Sequence, residues 1–228
     1  MSAEPASEAL QDPLAIDVAV VGRITAVPSI LEVCCRITGM GYAAVARVTE
    51  DRWIACAVRD QIDFGLGVGG ELPVRTTLCD EVRQQREAIV FDHADENPAF
   101  ANHHTPLTYG LQSYISVPIF RGDGSFFGTL CAIDPEPHNP SKPETVETFR
   151  LFAQLIGTQL DAEDRLARSE AALLDEQDAA ELRDQFIAVL GHDLRNPLAA
   201  IQAGASLLKK TPLNDKAARI VDQMQDSG

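Results

Sequence analysis

Seven apolar residues, Leu166, Leu173, Ala180, Ile187, Leu194, Ile201 and Leu208, recur at intervals of seven inside a stretch that reads as helix from Glu144 almost without a break to Lys210. Nothing else in the chain constrains its fold so tightly. A period of seven keeps one seam of a helix turned toward a partner, so a helix this long has no means of burying that seam alone. The companion seam is weaker, with Glu170, Gln177 and Asp184 where apolar residues belong, until Leu190 restores it. The pattern predicts a parallel, loosely packed coiled coil that tightens into a dimeric four-helix bundle. Its rival is a long surface helix on a monomer. Ser141-Lys-Pro-Glu144 has capping-box spacing for the helix start. Pro197 lacks an N–H and is expected to bend the helix where it stands. Thr211-Pro-Leu-Asn214 predicts a turn into a second helix over Asp215–Gln225.

Upstream of Glu144 the pattern changes to short β-rich runs, and 45% apolar residues in 228 supply a core. Helical spacing runs from Pro28 to Ile37, with Ser29 placed to cap it and Gly39 and Gly41 to stop it. Tyr42–Val48 and Trp53–Val58 read as a hairpin. A glycine-rich loop, Gly65 to Gly70, precedes strand-like Leu72–Val74 rather than a helix, so it is no phosphate cradle. Thr77-Leu-Cys-Asp80 predicts a capped helix to about Arg86, and Ala88–Phe91 is a short apolar run. Ser113–Phe120 and Ser125–Ile133 flank Arg-Gly-Asp-Gly at 121–124, the strongest hairpin signal in the chain. The polar stretch Asp92–Tyr109 is too long for a turn and reads as a lid or binding loop.

Charge and cysteine content narrow the function classes. With 19 basic and 34 acidic residues the net charge is −15, which excludes the basic face that nucleic-acid binding needs. Between Asp161 and Asp184 acid outweighs base nine to three, the composition of a solvated helix. No run is long and apolar enough to span a bilayer and no secretory signal opens the chain, so a soluble, cytoplasmic protein without a membrane partner is expected. The five cysteines, Cys34, Cys35, Cys56, Cys79 and Cys131, show no C-x-x-C spacing and are expected to pack as reduced small hydrophobes. The vicinal Cys34–Cys35 pair leaves a redox role open. His93, His103 and His104, with Asp92 and Asp95, match no metal-ligand spacing, and no metal site is assigned. Asp134 before Pro135 reads as a turn cap, and Trp53 as a packing residue.

Phe186-Ile-Ala-Val-Leu-Gly-His-Asp-Leu-Arg-Asn-Pro-Leu198 resembles the H-box of sensor histidine kinases nearly residue for residue. Independently, heptad arithmetic with Ile187 and Leu194 as core positions puts His192 on the outer face of the coil. There an imidazole of ordinary pKa is largely neutral near pH 7 and keeps a ring nitrogen free. The resemblance implies that His192 accepts the γ-phosphoryl group of ATP. It also implies that Asp193 accepts or orients the proton on the other ring nitrogen, and that Asn196, one turn on, orients water for dephosphorylating a response-regulator receiver domain. The family's ATP-binding domain, which would bring ATP and Mg, is not found in the sequence, so a truncated kinase, inactive alone, is expected.

Residues 14–160 resemble a GAF domain, through Tyr109-Gly-Leu-Gln-Ser-Tyr-Ile-Ser-Val-Pro-Ile119, Gly128-Thr-Leu-Cys-Ala-Ile-Asp134 and a closing helix over Glu144–Leu160. The resemblance implies an antiparallel sheet with helices on one side and a small-molecule pocket beneath loops on the other. GAF domains that hold a linear tetrapyrrole covalently place a cysteine just before the Val-Pro strand. Phe100–Tyr109 has none, so a covalent bilin is not expected and the ligand is unknown.

The whole reads as an α+β chain: a disordered tail at 1–13, a GAF sensor at 14–160, a coiled-coil signalling helix at 161–182, and a dimerisation and histidine phosphotransfer segment at 183–228. Its expected role is a homodimeric, cytoplasmic sensor histidine kinase whose GAF domain controls phosphorylation of His192, the phosphate passing to a response regulator. The alternatives are a non-catalytic dimeric GAF ligand-binding module and a thiol-based redox sensor.

Overall fold

The computed structural model describes residues 12–208 and 219–220. They divide between Leu166 and Ala167 into two units. The first is built on one six-stranded sheet. Helices α1 (Pro13–Arg23) and α2 (Val27–Thr38) precede β1 (Tyr42–Val48) and β2 (Arg52–Asp60). Then come β3 (Glu71–Pro73), a single 3-10 turn, α3 (Leu78–Gln85), β4 (Ile89–Phe91) and α4 (His104–Tyr109). Strands β5 (Ser113–Phe120) and β6 (Phe126–Asp134) lead into α5 (Pro143–Leu208). The strand order is β3-β2-β1-β6-β5-β4, and every neighbouring pair is antiparallel.

Alternation of side chains gives the sheet two apolar faces. Ala43, Val45, Ile115, Val117 and Ile119 point to one face. There α1, α2 and the first turns of α5 bury Leu31, Phe149, Ala153, Ile156 and Leu160. Two one-residue bulges feed the same core: Cys56 is extra opposite Val45–Ala46, and Phe127 is extra opposite Ile119–Phe120. The other face, with Tyr42, Tyr114, Cys131 and Ile133, is covered by α3, the loop after β2 and the segment before β5. Gly157 of α5 lies so near β5 that a Cβ there would stand 2.0 Å from the Phe120 carbonyl oxygen.

Polar contacts fix the base of α5 to the sheet unit. The turn joining β5 to β6 closes as expected, Arg121 N–H donating to the Ser125 carbonyl at 2.9 Å. Its Arg121 guanidinium donates to Asp164 at 2.5 Å and stands 3.6 Å from Asp161, whose carboxylate also accepts the Gly122 N–H at 2.7 Å. Arg23 at the end of α1 adds a bond to Glu163 at 3.0 Å. The first acids of the stretch expected to be solvated are thus engaged by the sheet unit.

Several sequence expectations change. Residues 1–11 of the expected tail lie outside the described residues, but Asp12 and Pro13 belong to α1. The Asp12 side chain accepts the Leu14 N–H, and Pro13 supplies the preset φ of a first helical residue. Ser29 does not cap α2, which starts earlier, at Val27. The expected capping boxes also fail. The Thr77 hydroxyl donates to the Val74 carbonyl, and that of Ser141 donates to Asp92, a tertiary partner that outcompetes its own helix. The strand at 72–74 ends at Pro73, which cannot extend a ladder. The loop Asp92–Tyr109 contains a short helix, α4. Its N-cap is His103, whose ring nitrogen accepts the Thr105 N–H at 3.2 Å.

Helix α5 spans 66 residues with Pro197 inside it, as the unbroken pattern implied. Lys209, Lys210, the turn at 211–214 and most of the second helix lie outside the described residues, while Arg219 and Ile220 are helical.

Candidate functional site

Between α3, the loop after β2 and the β1–β6–β5 face lies a cavity of about 40 Å³. Its walls are almost wholly apolar: Tyr42, Phe64, Leu66, Tyr109, Leu111 and Ile133, with Trp53, Cys79, Tyr114 and Cys131 deeper in. An outer groove of about 510 Å³ shares Phe64, Leu66, Leu72, Tyr109 and Leu111 with it. Those side chains therefore form a partition. The Phe64 ring lies 5.0 Å from Tyr42 and 6.3 Å from Tyr109. The Tyr109 hydroxyl is 2.6 Å from that of Thr76, and the Tyr42 hydroxyl donates to the Leu66 carbonyl at 3.2 Å. The loop that carries Phe64 is pinned by Asp60, which accepts the N–H groups of Ile62, Phe64 and Gly65 at 3.0–3.1 Å. Burial works against the Asp60 carboxylate, yet those donors outweigh it and hold its pKa below the usual value. The expected lid segment contributes Thr105 and Tyr109 to the cavity.

Cys79, in the first turn of α3, sits over β5 and β6. The Thr129 hydroxyl donates to its sulfur at 3.2 Å, and the hydroxyls of Tyr114 and Ser116 lie 3.4 Å and 3.8 Å from it. Cys131 stands opposite Ser116 in the β5–β6 register. Its S–H donates to the Ala44 carbonyl at 3.7 Å. Interaction with the neighbouring Cys131 thiol, followed by the hydroxyls of Thr129 and Tyr114, outweighs burial and lowers the Cys79 pKa. The same interaction and burial push Cys131 well above the usual thiol value, and burial does so for Tyr114. Trp53 is buried, and its indole N–H has no hydrogen-bond acceptor within normal geometry.

The other cysteines behave differently. Burial pushes Cys34 and Cys56 up to about 12 and raises Cys35, so the vicinal pair is a pair of core thiols. The expectation that Cys79 and Cys131 pack as reduced core thiols holds, and the structure adds their polar surroundings. Both are buried, but they are neighbours in a shell of hydroxyls on the cavity wall.

The histidines and acids of the 92–109 segment serve the loop itself. His103 pairs with Glu81 at 2.8 Å, His104 with the Arg75 carbonyl at 3.1 Å, His93 with Glu96 at 3.2 Å, and Asp95 accepts from Gln112 at 3.0 Å. Among the described residues no three His, Cys, Asp or Glu side chains are placed to hold a metal. Asp134 caps its turn as expected, accepting the Glu136 N–H at 2.9 Å and also the Gly41 N–H at 2.7 Å. A larger open groove, about 730 Å³, lies between α5 and the β4–β5 edge and carries Arg86, Arg121 and Arg150. Arg121 is already engaged by Asp161 and Asp164, and Arg86 is stacked on Phe120.

The three residues singled out for phosphoryl chemistry, His192, Asp193 and Asn196, all lie on α5. Four positions separate His192 from Asn196, about one helical turn. The sequence missed the cluster of Cys79 with Tyr114, Thr129 and Cys131. Half of it was available: the recognised hairpin already turned alternate residues of β5 and β6 to one face. The docking of α3 onto that face was not.

The GAF domain model matches residues 23–160, and the His Kinase A (phospho-acceptor) domain model matches residues 182–228. The chain belongs to the GAF family, with a His Kinase A domain following the GAF domain. That is the domain order of a sensor histidine kinase. The autoinducer 2 sensor kinase/phosphatase LuxQ of Vibrio cholerae is 38% identical over 61 residues, 27% of this chain and 7% of LuxQ. The diguanylate cyclase DgcP of Escherichia coli is 37% identical over 68 residues, 28% of this chain and 20% of DgcP. The chain thus spans a minor part of either relative. Bacteriophytochrome RpBphP3 of R. palustris superposes with a TM-score of 0.52 at 12% identity, covering 78% of this chain and 42% of that one. The chromophore-binding domain of RpBphP3 gives 0.51 at 14%, covering 71% and 64%. At such identities the likeness is one of fold.

Proposed function

We propose that this chain is the sensing and phosphoacceptor part of a cytoplasmic, homodimeric histidine kinase. On this reading the GAF domain occupies 14–160, the signalling coil 161–182 and the phosphotransfer segment 183–228. The observation that carries the proposal is helix α5. It begins among buried residues of the GAF core, Phe149, Ala153, Ile156 and Leu160, and continues as one element to the H-box around His192. Its heptad residues Leu166, Leu173, Ile187 and Ile201 are exposed in the single chain, which favours burial against a second copy.

In the proposed reaction the unprotonated ring nitrogen of His192 attacks the γ-phosphorus of Mg-bound ATP held by a kinase ATP-binding domain. The bond from γ-phosphorus to the bridging oxygen breaks and ADP leaves. Asp193 keeps the proton on the other ring nitrogen. Asn196 orients the water that later removes phosphate from the receiver domain of a response regulator. The GAF cavity takes a small molecule. A covalent bilin is disfavoured, since Phe100–Tyr109 has no cysteine. Strand β5 carries cavity residue Tyr114 at one end and meets, just past its other end, Arg121, which grips Asp161 and Asp164 of α5. A bias of about 1–3 kcal/mol between two arrangements of the coil is enough to change kinase output severalfold or more.

The test is to incubate the chain with radiolabelled ATP and a separately supplied kinase ATP-binding domain. Acid-labile label is expected on the wild type and absent from His192→Gln. Label that persists on the variant overturns the assignment. A wild type that takes none overturns the kinase reading in favour of a ligand-binding module.

A further inference from the structure

We propose that Cys79 and Cys131 form an oxidisable dithiol on the wall of the GAF cavity, with a small hydroperoxide as its substrate. The proposal rests on reading that cavity as the input site, and three observations carry it.

The first is size. About 40 Å³ accommodates a molecule of a few heavy atoms, not a tetrapyrrole or a nucleotide, unless the Phe64–Tyr109 partition moves. The second is composition. Both sulfurs line the same cavity, Cys131 stands opposite Ser116, and the Cys79 sulfur has the hydroxyls of Thr129, Tyr114 and Ser116 at 3.2, 3.4 and 3.8 Å. Packing alone does not require three hydroxyls around one thiol, because a neutral thiol is a weak hydrogen-bonding group. They suit a thiolate, and better still the oxygen of a sulfenate. The third is the buried indole N–H of Trp53, a donor without an acceptor in the same cavity wall. A buried orphan donor is destabilising, and an oxygen added to the Cys79 sulfur supplies the acceptor it lacks.

The chemistry balances. The Cys79 thiolate attacks the terminal oxygen of the hydroperoxide and the O–O bond breaks. The alkoxide takes a proton and leaves as the alcohol, or as water when the oxidant is hydrogen peroxide. Cys79 has lost two electrons and carries a sulfenic acid. The Cys131 sulfur then attacks the Cys79 sulfur, the S–O bond breaks and water departs, its protons coming from the Cys131 thiol and the sulfenic acid. The sum is two thiols and one hydroperoxide giving one disulfide, one alcohol and one water. Cys34, Cys35 and Cys56, with raised pKa values, are the internal controls.

The test treats the whole chain with hydrogen peroxide, alkylates the remaining thiols under denaturing conditions and maps them by mass. The expected product is a Cys79–Cys131 disulfide, formed roughly tenfold or more faster than any oxidation of the other three cysteines. Cys131→Ser should instead accumulate a dimedone adduct on Cys79, and Cys79→Ser should leave Cys131 reduced. Two milder variants each remove one donor and should slow Cys79 oxidation: Thr129→Val, which keeps bulk, and Trp53→Phe, which keeps an aromatic ring. The proposal is overturned if Cys79 stays reduced while Cys34, Cys35 or Cys56 oxidises, or if Cys131 oxidises as fast without Cys79. Oxidation of the pair in a chain whose His192 takes no phosphate upholds the dithiol and overturns the kinase reading. Phosphorylation of His192 with an inert pair overturns the dithiol alone.

Discussion

The two halves of helix α5 are made of similar residues and live in different surroundings. Up to Leu160 its apolar side chains are spent on the sheet: Phe149, Ala153, Ile156 and Leu160 are buried, and Gly157 lets the backbone touch β5. Beyond Leu166 the described apolar side chains of the heptad are exposed. Leu173 is 56% exposed, Ile187 58% and Ile201 52%. The same helical periodicity thus does two jobs. One half completes a core of its own, and the other presents the exposed heptad surface that the proposed dimer would bury.

The largest effect that sharpens this contrast is loss of assembly. Ile187→Asp with Leu194→Asp puts unpaired charge in the heptad seam and should convert dimer to monomer in sedimentation, with the thermal transition of the GAF unit unmoved. A wild type already monomeric at micromolar concentration would break the comparison. Next come two glycines on the same helix. Gly157→Ala drives a methyl into the Phe120 carbonyl and should cost the GAF unit about 1–3 kcal/mol or more in denaturant unfolding. Gly204→Ala meets nothing within 4 Å and should instead favour its helix by about 0.5–1 kcal/mol. Equal effects at the two positions would mean that the halves are packed alike.

The smallest effect is a pH response confined to the first unit. The Asp60 carboxylate has its folded pKa lowered, since the N–H groups of the loop after β2 prevail over burial. Its contribution is therefore present above the unfolded carboxylate value and is lost as pH falls through the lower folded one. Amide exchange at Ile62, Phe64 and Gly65 should rise in that acid window, and in Asp60→Asn should be raised at neutral pH as well. Protection that does not depend on pH in the wild type would show that the loop is held by Phe64 packing alone.

Much of this was legible along the chain because it depends on near neighbours. The seven-residue repeat, the Arg-Gly-Asp-Gly turn and the H-box around His192 are local patterns, and a helix or hairpin is set largely by residues a few positions apart. Local rules misled where a distant partner competed. The Ser141 hydroxyl had a carboxylate, Asp92, within 2.5 Å and abandoned its own helix end. At Thr77 the competitor was local, the hydroxyl donating three residues back to the Val74 carbonyl. Helix α1 escaped notice although Asp12-Pro13 is a recognisable start, because the polar residues before it read as tail.

What the sequence determined by itself, then, is the order of elements, the two-faced sheet, and a helix running from sensor to phosphoacceptor. Periodicity and turn chemistry act over a few residues and need no tertiary context. Only the tertiary structure decided which side chains meet. Cys79 lies 50 positions from Thr129 along the chain, yet accepts its hydrogen bond at 3.2 Å. No periodic pattern encodes that contact. It follows from α3 docking on the sheet, where burial removes water and leaves the thiols, hydroxyls and an unmatched indole N–H to answer to one another.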